Sequence, residues 1–350
     1  MSYNFSKLSK LFLQMPPADE ILALMTDIPD YPSLICQQMI VREIFQYSGE
    51  YKASKKWINY ILKKIVKDVE RTEGGEIADE LADIIIDNNS RPNLEEDPGY
   101  ISFELNGILT KRVSLKVLRS HNQVGLKSWE AGIFLAEFCS LLPSVFNFKS
   151  VCELGAGVGS TSLILANSVS CPKQILITDY TPEILANIAE NVIINHPGIS
   201  DHPECDIRTQ HLDWLSFSSN ILQPSVSADI VLAADCTYSE DICLALGLTI
   251  KKILLASKSS ESFNKNMVIE KSGHLTSVDE KVHSSLFKFP FALVACTVRN
   301  EDTFYKFIEV LEMSDLHFRD ITVLANGIIG PNQRFYYPNR ELIKLICITI

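Results

Sequence analysis

The 350-residue sequence has no Cys-x-x-Cys pair and no uncharged apolar run as long as about 18 residues, and it is short of basic side chains. Each shortage excludes something. Nine cysteines, at 36, 139, 152, 171, 205, 236, 243, 296 and 347, are an odd number with no zinc-type spacing. Most stand in apolar runs such as Val151-Cys152-Glu153-Leu154, so they read as reduced core thiols of a cytosolic or nuclear protein rather than a disulfide framework. Without a long apolar run, a membrane span is not expected. The opening MSYNFSKLSKLFLQMPP lacks the basic, apolar and small-residue succession of a secretory signal. Acids outnumber bases 43 to 32, a formal net charge of −11. Such a surface repels phosphate backbones and anionic lipid, which argues against direct nucleic-acid or membrane-surface partners. The seven histidines show no His-Glu-x-x-His spacing and no Ser-His-Asp arrangement, so no metal site is expected.

What is present is ample for a sizeable core: 46% of residues are hydrophobic and 21% charged, near ordinary soluble usage. The chain changes character near residue 98. Before it, helical periodicity dominates: Ile58, Ile61, Leu62 and Ile65 recur at i, i+3, i+4, i+7 with lysines opposite. Residues 68–97 are strongly acidic, contain Gly74-Gly75 and Arg91-Pro92, and read as a solvated helix face running into a linker. From 100 the period is two, and Asn106-Gly107 between alternating apolar residues predicts a hairpin. Further on, strand and helix alternate. Strands are expected at 150–154, 174–178, 206–211, 229–234, 291–298, 317–324 and 342–350, with helices near 160–168, 182–195, 215–222, 240–257 and 301–313. Alternation of this kind predicts an α/β fold with βαβ units around a largely parallel, Rossmann-like sheet of seven strands. The last two strands, with no helix between them, imply one antiparallel member at the edge. Residues 258–288, rich in Ser, Lys and Glu, read as a surface insertion. The expected division is a helical region over 1–98 and a ligand-binding domain over 99–350.

The sharpest motif is Val151-Cys152-Glu153-Leu154-Gly155-Ala156-Gly157-Val158-Gly159, a strand end, a glycine turn and the start of a helix. Glycines let a backbone pass under a ligand and take up positive φ. The dinucleotide fingerprint wants a third small residue, Gly or Ala, at 160, which here is Ser. Glu153, two residues before the first glycine, would repel a pyrophosphate but suits a ligand carrying an ammonium and a sulfonium, as S-adenosylmethionine does. Asp179 ends the next strand, where a ribose diol is bound in such folds; it is equally placed to cap the helix starting near Pro182. Asp213 could accept from an adenine amino group while Trp214 packs on the ring, or Trp214 could be a core residue. Strand 229–234 delivers Asp235 and Tyr238 to the same carboxyl edge, where open α/β sheets bind ligands.

Glu153-x-Gly155-x-Gly157-x-Gly159 with Asp179 resembles the seven-stranded class I methyltransferases. Asp235-x-x-Tyr238 with Trp129-Glu130-Ala131 resembles their protein-lysine methyltransferase branch. Gly125-Leu126-Lys127-Ser128-Trp129-Glu130-Ala131, Leu135-Ala136-Glu137-Phe138, Leu212-Asp213-Trp214 and Cys296-Thr297-Val298-Arg299-Asn300 resemble the eukaryotic elongation factor 2 lysine methyltransferase family, which also has a helical N-terminal region. The resemblance implies that Trp129, Gly155, Ala156, Gly157, Asp179, Trp214 and Ala234 line an S-adenosylmethionine site. It also implies that Asp235 and Tyr238 face an incoming lysine of translation elongation factor 2, in the cytoplasm. Residues 1–98, which hold amphipathic helices but no clustered catalytic side chains, are expected to select the protein substrate, the competing reading being that they cover a face of the sheet; the sequence does not fix the oligomeric state, a monomer being one option. The sequence departs from the family in a longer 258–288 insertion and in Cys236-Thr237 inside the Asp-x-x-Tyr tetrad. Asp235 could instead cap the helix at 240–257, and Tyr238 could be ordinary packing. Arg299-Asn300 either pairs with loop carbonyls or shapes the substrate mouth. Three rivals remain: the same chemistry on another protein or a small molecule, a cofactor-binding scaffold without turnover, and a nicotinamide dehydrogenase, which Glu153 and Ser160 disfavour.

Overall fold

The computed structural model of the chain describes residues 4–118, 124–196, 205–219, 226–261 and 287–350, without the side chains of 218, 219 and 259–261. It consists of two units: Met1–Glu104 with Arg112–Lys127, and Leu105–Lys111 with Ser128–Ile350.

The first unit is mostly helical: α1 (Phe5–Phe12), α2 (Ala18–Thr26), α3 (Leu34–Ile40), α4 (Lys55–Arg71) and α5 (Asp79–Ser90), followed by β1 (Pro98–Phe103) and β2 (Val113–Leu118). Helix α4 begins where the Ser54 hydroxyl accepts the Trp57 amide at 3.3 Å. The predicted stripe Ile58, Ile61, Leu62 and Ile65 is buried against Phe12, Ile21 and Met25. The stretch read as a linker instead carries α5, whose Asp79 and Glu80 lie in the first turn, where the helix dipole favours negative charge. The hairpin forms, but not around a two-residue Asn-Gly turn. Phe103 pairs with Val113, so nine residues, 104–112, connect the strands. Most of that connection belongs to the second unit, where the Thr110 amide donates to Asn167 O and the Val169 amide to Ile108 O, both at 2.8 Å. The hairpin thus completes the first unit, and the expected boundary at 98 moves to 127.

In the second unit the elements are α6 (Glu130–Ser140), α7 (Pro143–Phe146), β3 (Ser150–Leu154), α8 (Ser160–Ala166), β4 (Gln174–Asp179), α9 (Pro182–Asn195), β5 (Asp206–His211), α10 (Trp214–Ser219), β6 (Ile230–Ala234), α11 (Glu240–Glu261), β7 (Phe291–Thr297), α12 (Glu301–Met313), β8 (His317–Asp320), α13 (Thr322–Ile329) and β9 (Ile343–Thr349). The sheet order is β5-β4-β3-β6-β7-β9-β8. Position follows composition. The apolar runs of β3, β6 and β7 lie in the middle, buried on both faces, while the polar β5 and β8 take the edges. Helices α10, α11 and α12 pack on β3, β6 and β7 through Phe217, Leu246, Ile250 and Phe307.

Two expectations are corrected. The strand expected over 317–324 stops at Asp320, whose carboxylate accepts the Thr322 amide at 2.8 Å and starts α13. The β-branched run Ile321-Thr322-Val323 reads as strand, but the turn that Asp320 closes over the Thr322 amide leads it into helix. A helix therefore does separate the last two strands. The antiparallel member is β9, inserted between β7 and β8, not the edge strand. The helix near 240–257 continues to Glu261, into the expected insertion, whose residues 262–286 lie outside the described part.

Glu137, fully buried on α6, organises one side of this unit. Its carboxylate accepts the Arg334 amide (3.0 Å) and guanidinium (3.2 Å), the Phe335 amide (3.4 Å) and the Tyr337 hydroxyl (2.8 Å). Burial, and then the Glu137 charge, push the Tyr337 phenol well up. Removing one partner of such a buried set leaves the others unsatisfied. Glu137→Ala should therefore cost about 3–5 kcal/mol in urea unfolding, and Glu137→Gln clearly less; a loss under about 1 kcal/mol for the alanine variant would show that these groups find other partners.

Candidate functional site

The chain runs β3, β4, β5 in one direction across the sheet and then returns to place β6 on the other side of β3. Between β3 and β6 lies the switch point, outside whose carboxyl ends α/β sheets hold ligands. The glycine loop closes this position from the β3 side. Gly155, Gly157 and Gly159 have φ of +64°, +57° and +79°. At Gly155 a Cβ would lie 2.9 Å from Cys236 Sγ and 3.0 Å from the Trp214 ring, so even an alanine there would collide as well as strain the backbone.

The strand ends are tied to one another under this loop. The Ala156 amide donates to Thr178 O (3.0 Å), and the Thr178 hydroxyl donates to Glu153 O (2.7 Å). Asp179 is central. One carboxylate oxygen accepts the Gly157 amide at 3.0 Å, and the other accepts the Tyr180 and Thr181 amides at 2.8 and 3.4 Å. Asp179 thus holds the turn that precedes α9, whose N-cap Thr181 makes no side-chain cap bond, and it braces the glycine loop with acceptor capacity left on the oxygen facing Gly157.

Glu153 is buried, and its carboxylate accepts the Ser162 amide at 3.1 Å in the first turn of α8. Burial raises its carboxyl to about 7, while hydrogen bonds from Ser162 and Thr161 oppose the shift and nearby Asp179 adds repulsion. Asp179 is raised as well, again first by burial. Two desolvated acids beneath one glycine loop make a site suited to a cation or to hydroxyl donors, and hostile to a phosphate.

Asp213 caps α10, accepting the Leu215 amide (3.0 Å) and the Ser216 hydroxyl (2.7 Å). It thereby fixes Trp214, whose ring packs over Gly155 and against the core. The Trp214 indole N–H is buried and has no partner among the described residues. An unfilled donor of this kind beside the loop fits a ligand acceptor.

At the end of β6, Ala234 leads into Asp235, which has φ +52°. This turn aims the Asp235 carboxylate at β7, where it accepts the Thr297 amide (2.8 Å) and hydroxyl (3.1 Å). The carboxylate is not a cap of α11. Arg299 extends the cluster: its guanidinium bonds Glu130 at 2.9 Å, lies 3.8 Å from Asp235 and stands 5.3 Å from the centroid of the Trp129 ring. The partners recorded for the Arg299 guanidinium are side chains at the carboxyl edge and not loop carbonyls. Sequence reasoning could not find the Arg299–Glu130 pair because 169 residues separate its members. Tyr238 is 67% exposed and lies within electrostatic reach of Asp179, Tyr180 and Cys236. The structure thus gathers Trp129, Glu130, Asp235, Thr297 and Arg299 into one group, and Glu153, Asp179, Trp214 and the glycine loop into another. Gly132, which packs near Ala234, also has its carbonyl bonded by Thr161 of α8. No group of three or more potential metal ligands occurs among the described residues.

A family model described as lysine methyltransferase matches residues 111–274. The protein-lysine N-methyltransferase EEF2KMT of Mus musculus is 26% identical over 207 residues, 58% of this chain and 53% of that protein. A putative uncharacterized protein of Dictyostelium discoideum is 26% identical over 276 residues, 73% of this chain and 68% of that protein. The calmodulin-lysine N-methyltransferase of Arabidopsis thaliana is 30% identical over 134 residues, 38% of this chain and 42% of that protein. The chain spans about half the length of the mouse relative.

The raised Glu153 carboxyl has a measurable consequence. Between pH 5 and 7 the folded protein keeps a proton that an unfolded chain, with an ordinary glutamate near 4.3, has released. The stabilising proton is lost as pH rises through about 7. Glu153→Gln keeps an acceptor for the Ser162 amide and removes the titration. In urea unfolding, the wild type should lose about 2–3 kcal/mol relative to Glu153→Gln between pH 5 and 8; a difference constant over that range would mean that the carboxyl is not desolvated.

Proposed function

Since the chain belongs to the lysine methyltransferase family, we propose that it transfers a methyl group from S-adenosylmethionine to a lysine side chain of a protein, translation elongation factor 2. One observation carries the reading: the glycine loop, braced by Asp179, and the Asp235 cluster stand on adjacent strand ends at the switch point of the sheet. The choice of substrate is supported by the likeness to the EEF2KMT protein-lysine N-methyltransferases of mouse, cattle and human, and is made over calmodulin because more of this chain is matched there. When bound, S-adenosylmethionine supplies an electrophilic methyl group on a sulfonium.

The residues divide the work as follows. Gly155, Ala156 and Gly157 let the backbone approach the cofactor. Asp179 accepts from the ribose hydroxyls, and Trp214, placed by the Asp213 cap, covers the adenine end. Trp129 and Ala234 wall the side towards the substrate, and Glu153 answers the cofactor's positive charge through the head of α8. That charge would also draw the Glu153 proton off, since a nearby cation favours the carboxylate.

A lysine amine, with a solution pKa near 10.4, is protonated at neutral pH and must become a free base to act as nucleophile. Asp235, locked by Thr297, offers an acceptor in a fixed direction. Arg299, close to the same carboxylate, opposes a second full positive charge there, so the site can orient the amine while letting its proton go to water. Tyr238 gives the incoming side chain a π face and a hydroxyl. Alignment of the lone pair with the methyl group supplies most of the acceleration, because methyl transfer needs little acid–base help once the reactants are in line. The helical first unit, which contributes no residue to this set, selects the protein substrate, and the cytoplasm, where elongation factor is found, is the place of action.

Labelled S-adenosylmethionine with purified elongation factor 2, and in parallel with calmodulin, tests the reading. Label should enter a lysine of elongation factor 2. Asp235→Asn should lower turnover at least about 100-fold while cofactor affinity by calorimetry stays within a few fold. Asp179→Ala should do the reverse first, weakening cofactor binding by about 1–3 kcal/mol. Full turnover in Asp235→Asn, or label in calmodulin alone, would overturn respectively the role of the carboxylate and the choice of substrate.

A further inference from the structure

Arg299 is one cation between two acids. Its Nη2 bonds Glu130 Oε2 at 2.9 Å, and the same nitrogen stands 3.8 Å from Asp235 Oδ2, beyond hydrogen-bond reach. The backbone beneath the side chain is tied down: the Val298 amide donates to Leu342 O at 2.8 Å and the Arg299 amide to Thr297 O at 2.9 Å. The choice between the two acids therefore falls to the side chain alone. Glu130 is the first residue of α6, so its place is set by a helix whose following residues are buried. Trp129, just before it, gives the guanidinium a π face, with the ring centroid 5.3 Å away.

We propose that Glu130 is a positioning residue that holds the Arg299 guanidinium off Asp235, leaving that carboxylate open to the ammonium of the incoming lysine. This role rests on the reading of Asp235 as the acid that faces the lysine. A carboxylate offers about four lone-pair sites. At Asp235 two are taken, on Oδ1 by the Thr297 amide and on Oδ2 by the Thr297 hydroxyl. A guanidinium laid fork to fork on Asp235 would take the other two and would set a like charge against the ammonium. With its strong bond given to Glu130, Arg299 acts on Asp235 only through space. It still opposes a second full positive charge, but it leaves the acceptors to the substrate. Glu130 itself acts through Arg299 and touches neither reactant.

The test compares four full-length proteins, wild type, Glu130→Gln, Arg299→Gln and the double variant, with purified elongation factor 2 and labelled S-adenosylmethionine. Glutamine keeps the size of Glu130 and removes its charge, so Arg299 should turn to Asp235. Glu130→Gln should raise KM for the protein substrate at least about 10-fold, with a smaller change in kcat and cofactor affinity by calorimetry within a few fold. In the Arg299→Gln background the same substitution should change KM less than about 2-fold, because no guanidinium is left to misplace. A KM penalty of equal size in both backgrounds overturns the role of Glu130. A second measurement needs no turnover. Urea midpoints of Asp235→Asn, Arg299→Gln and their combination give the coupling between the two residues, which should be larger when all three are rebuilt on Glu130→Gln. A coupling that Glu130→Gln leaves unchanged overturns the restraint on Arg299. If wild type labels no lysine while the coupling grows as expected, the methyltransferase reading fails and the restraint stands.

Discussion

Carboxylates taken out of water at the carboxyl ends of β3 and β4 set the terms for everything around them. Asp179 is nearly buried, and a buried carboxylate is costly unless donors meet it. The donors it finds are the amides of Gly157, Tyr180 and Thr181, so the same acid fixes the glycine loop and the start of α9. Glu153, one strand over, finds the amide of Ser162 and so fixes the start of α8. The two helices that flank the loop are therefore positioned by the two acids that a cationic ligand would meet. Scaffold and recognition are one set of contacts.

Glu137 extends the same logic to the far side of the unit. It gathers Arg334, Phe335 and Tyr337, nearly 200 residues later in the chain, around a helix whose other buried residues are apolar except Ser140 at its end. That helix begins at Trp129 and Glu130, where Arg299 arrives from the end of β7. The position of the Arg299 cluster thus depends on how α6 is seated, and α6 is seated in part by a buried charge with no contact to the candidate site.

Much of this was legible because it is local. The glycine spacing, the acid at the end of β4 and the apolar runs of the central strands each declare themselves within ten residues, and each took its expected place. The alternation of strand and helix gave the seven strands and most of their limits. What failed was decided by partners out of sequence range or by a single local turn. Ile321-Thr322-Val323 has strand composition, yet Asp320 turns it into a helix start. Asn106-Gly107 has the form of a hairpin turn, yet residues 105–111 bond within the second unit and widen the connection. The order β7-β9-β8 depends on pairings that no local pattern specifies. Asp235 gave a half-legible case: its place on the strand end was readable, but its left-handed backbone and its grip on Thr297 were not.

The path of the chain between the two units bears on how the molecule can be dissected. It leaves the first unit after Glu104, returns at Arg112 and leaves again after Lys127. The helical unit is therefore an interrupted module rather than an N-terminal extension. A cut at residue 98 would leave the β1–β2 hairpin on the remaining piece without the helices of its own unit, where Lys52 O and Leu13 O accept the Tyr100 and Ser102 amides, and Val113, Leu115 and Val117 are buried only in the intact protein. An apolar hairpin stripped of its neighbours in this way seeks partners in other molecules. Trimming the gene from its 5′ end at that point would thus yield an adhesive fragment in place of a catalytic core, whereas a clean separation has to remove the hairpin too and rejoin residues 105–111 to Ser128.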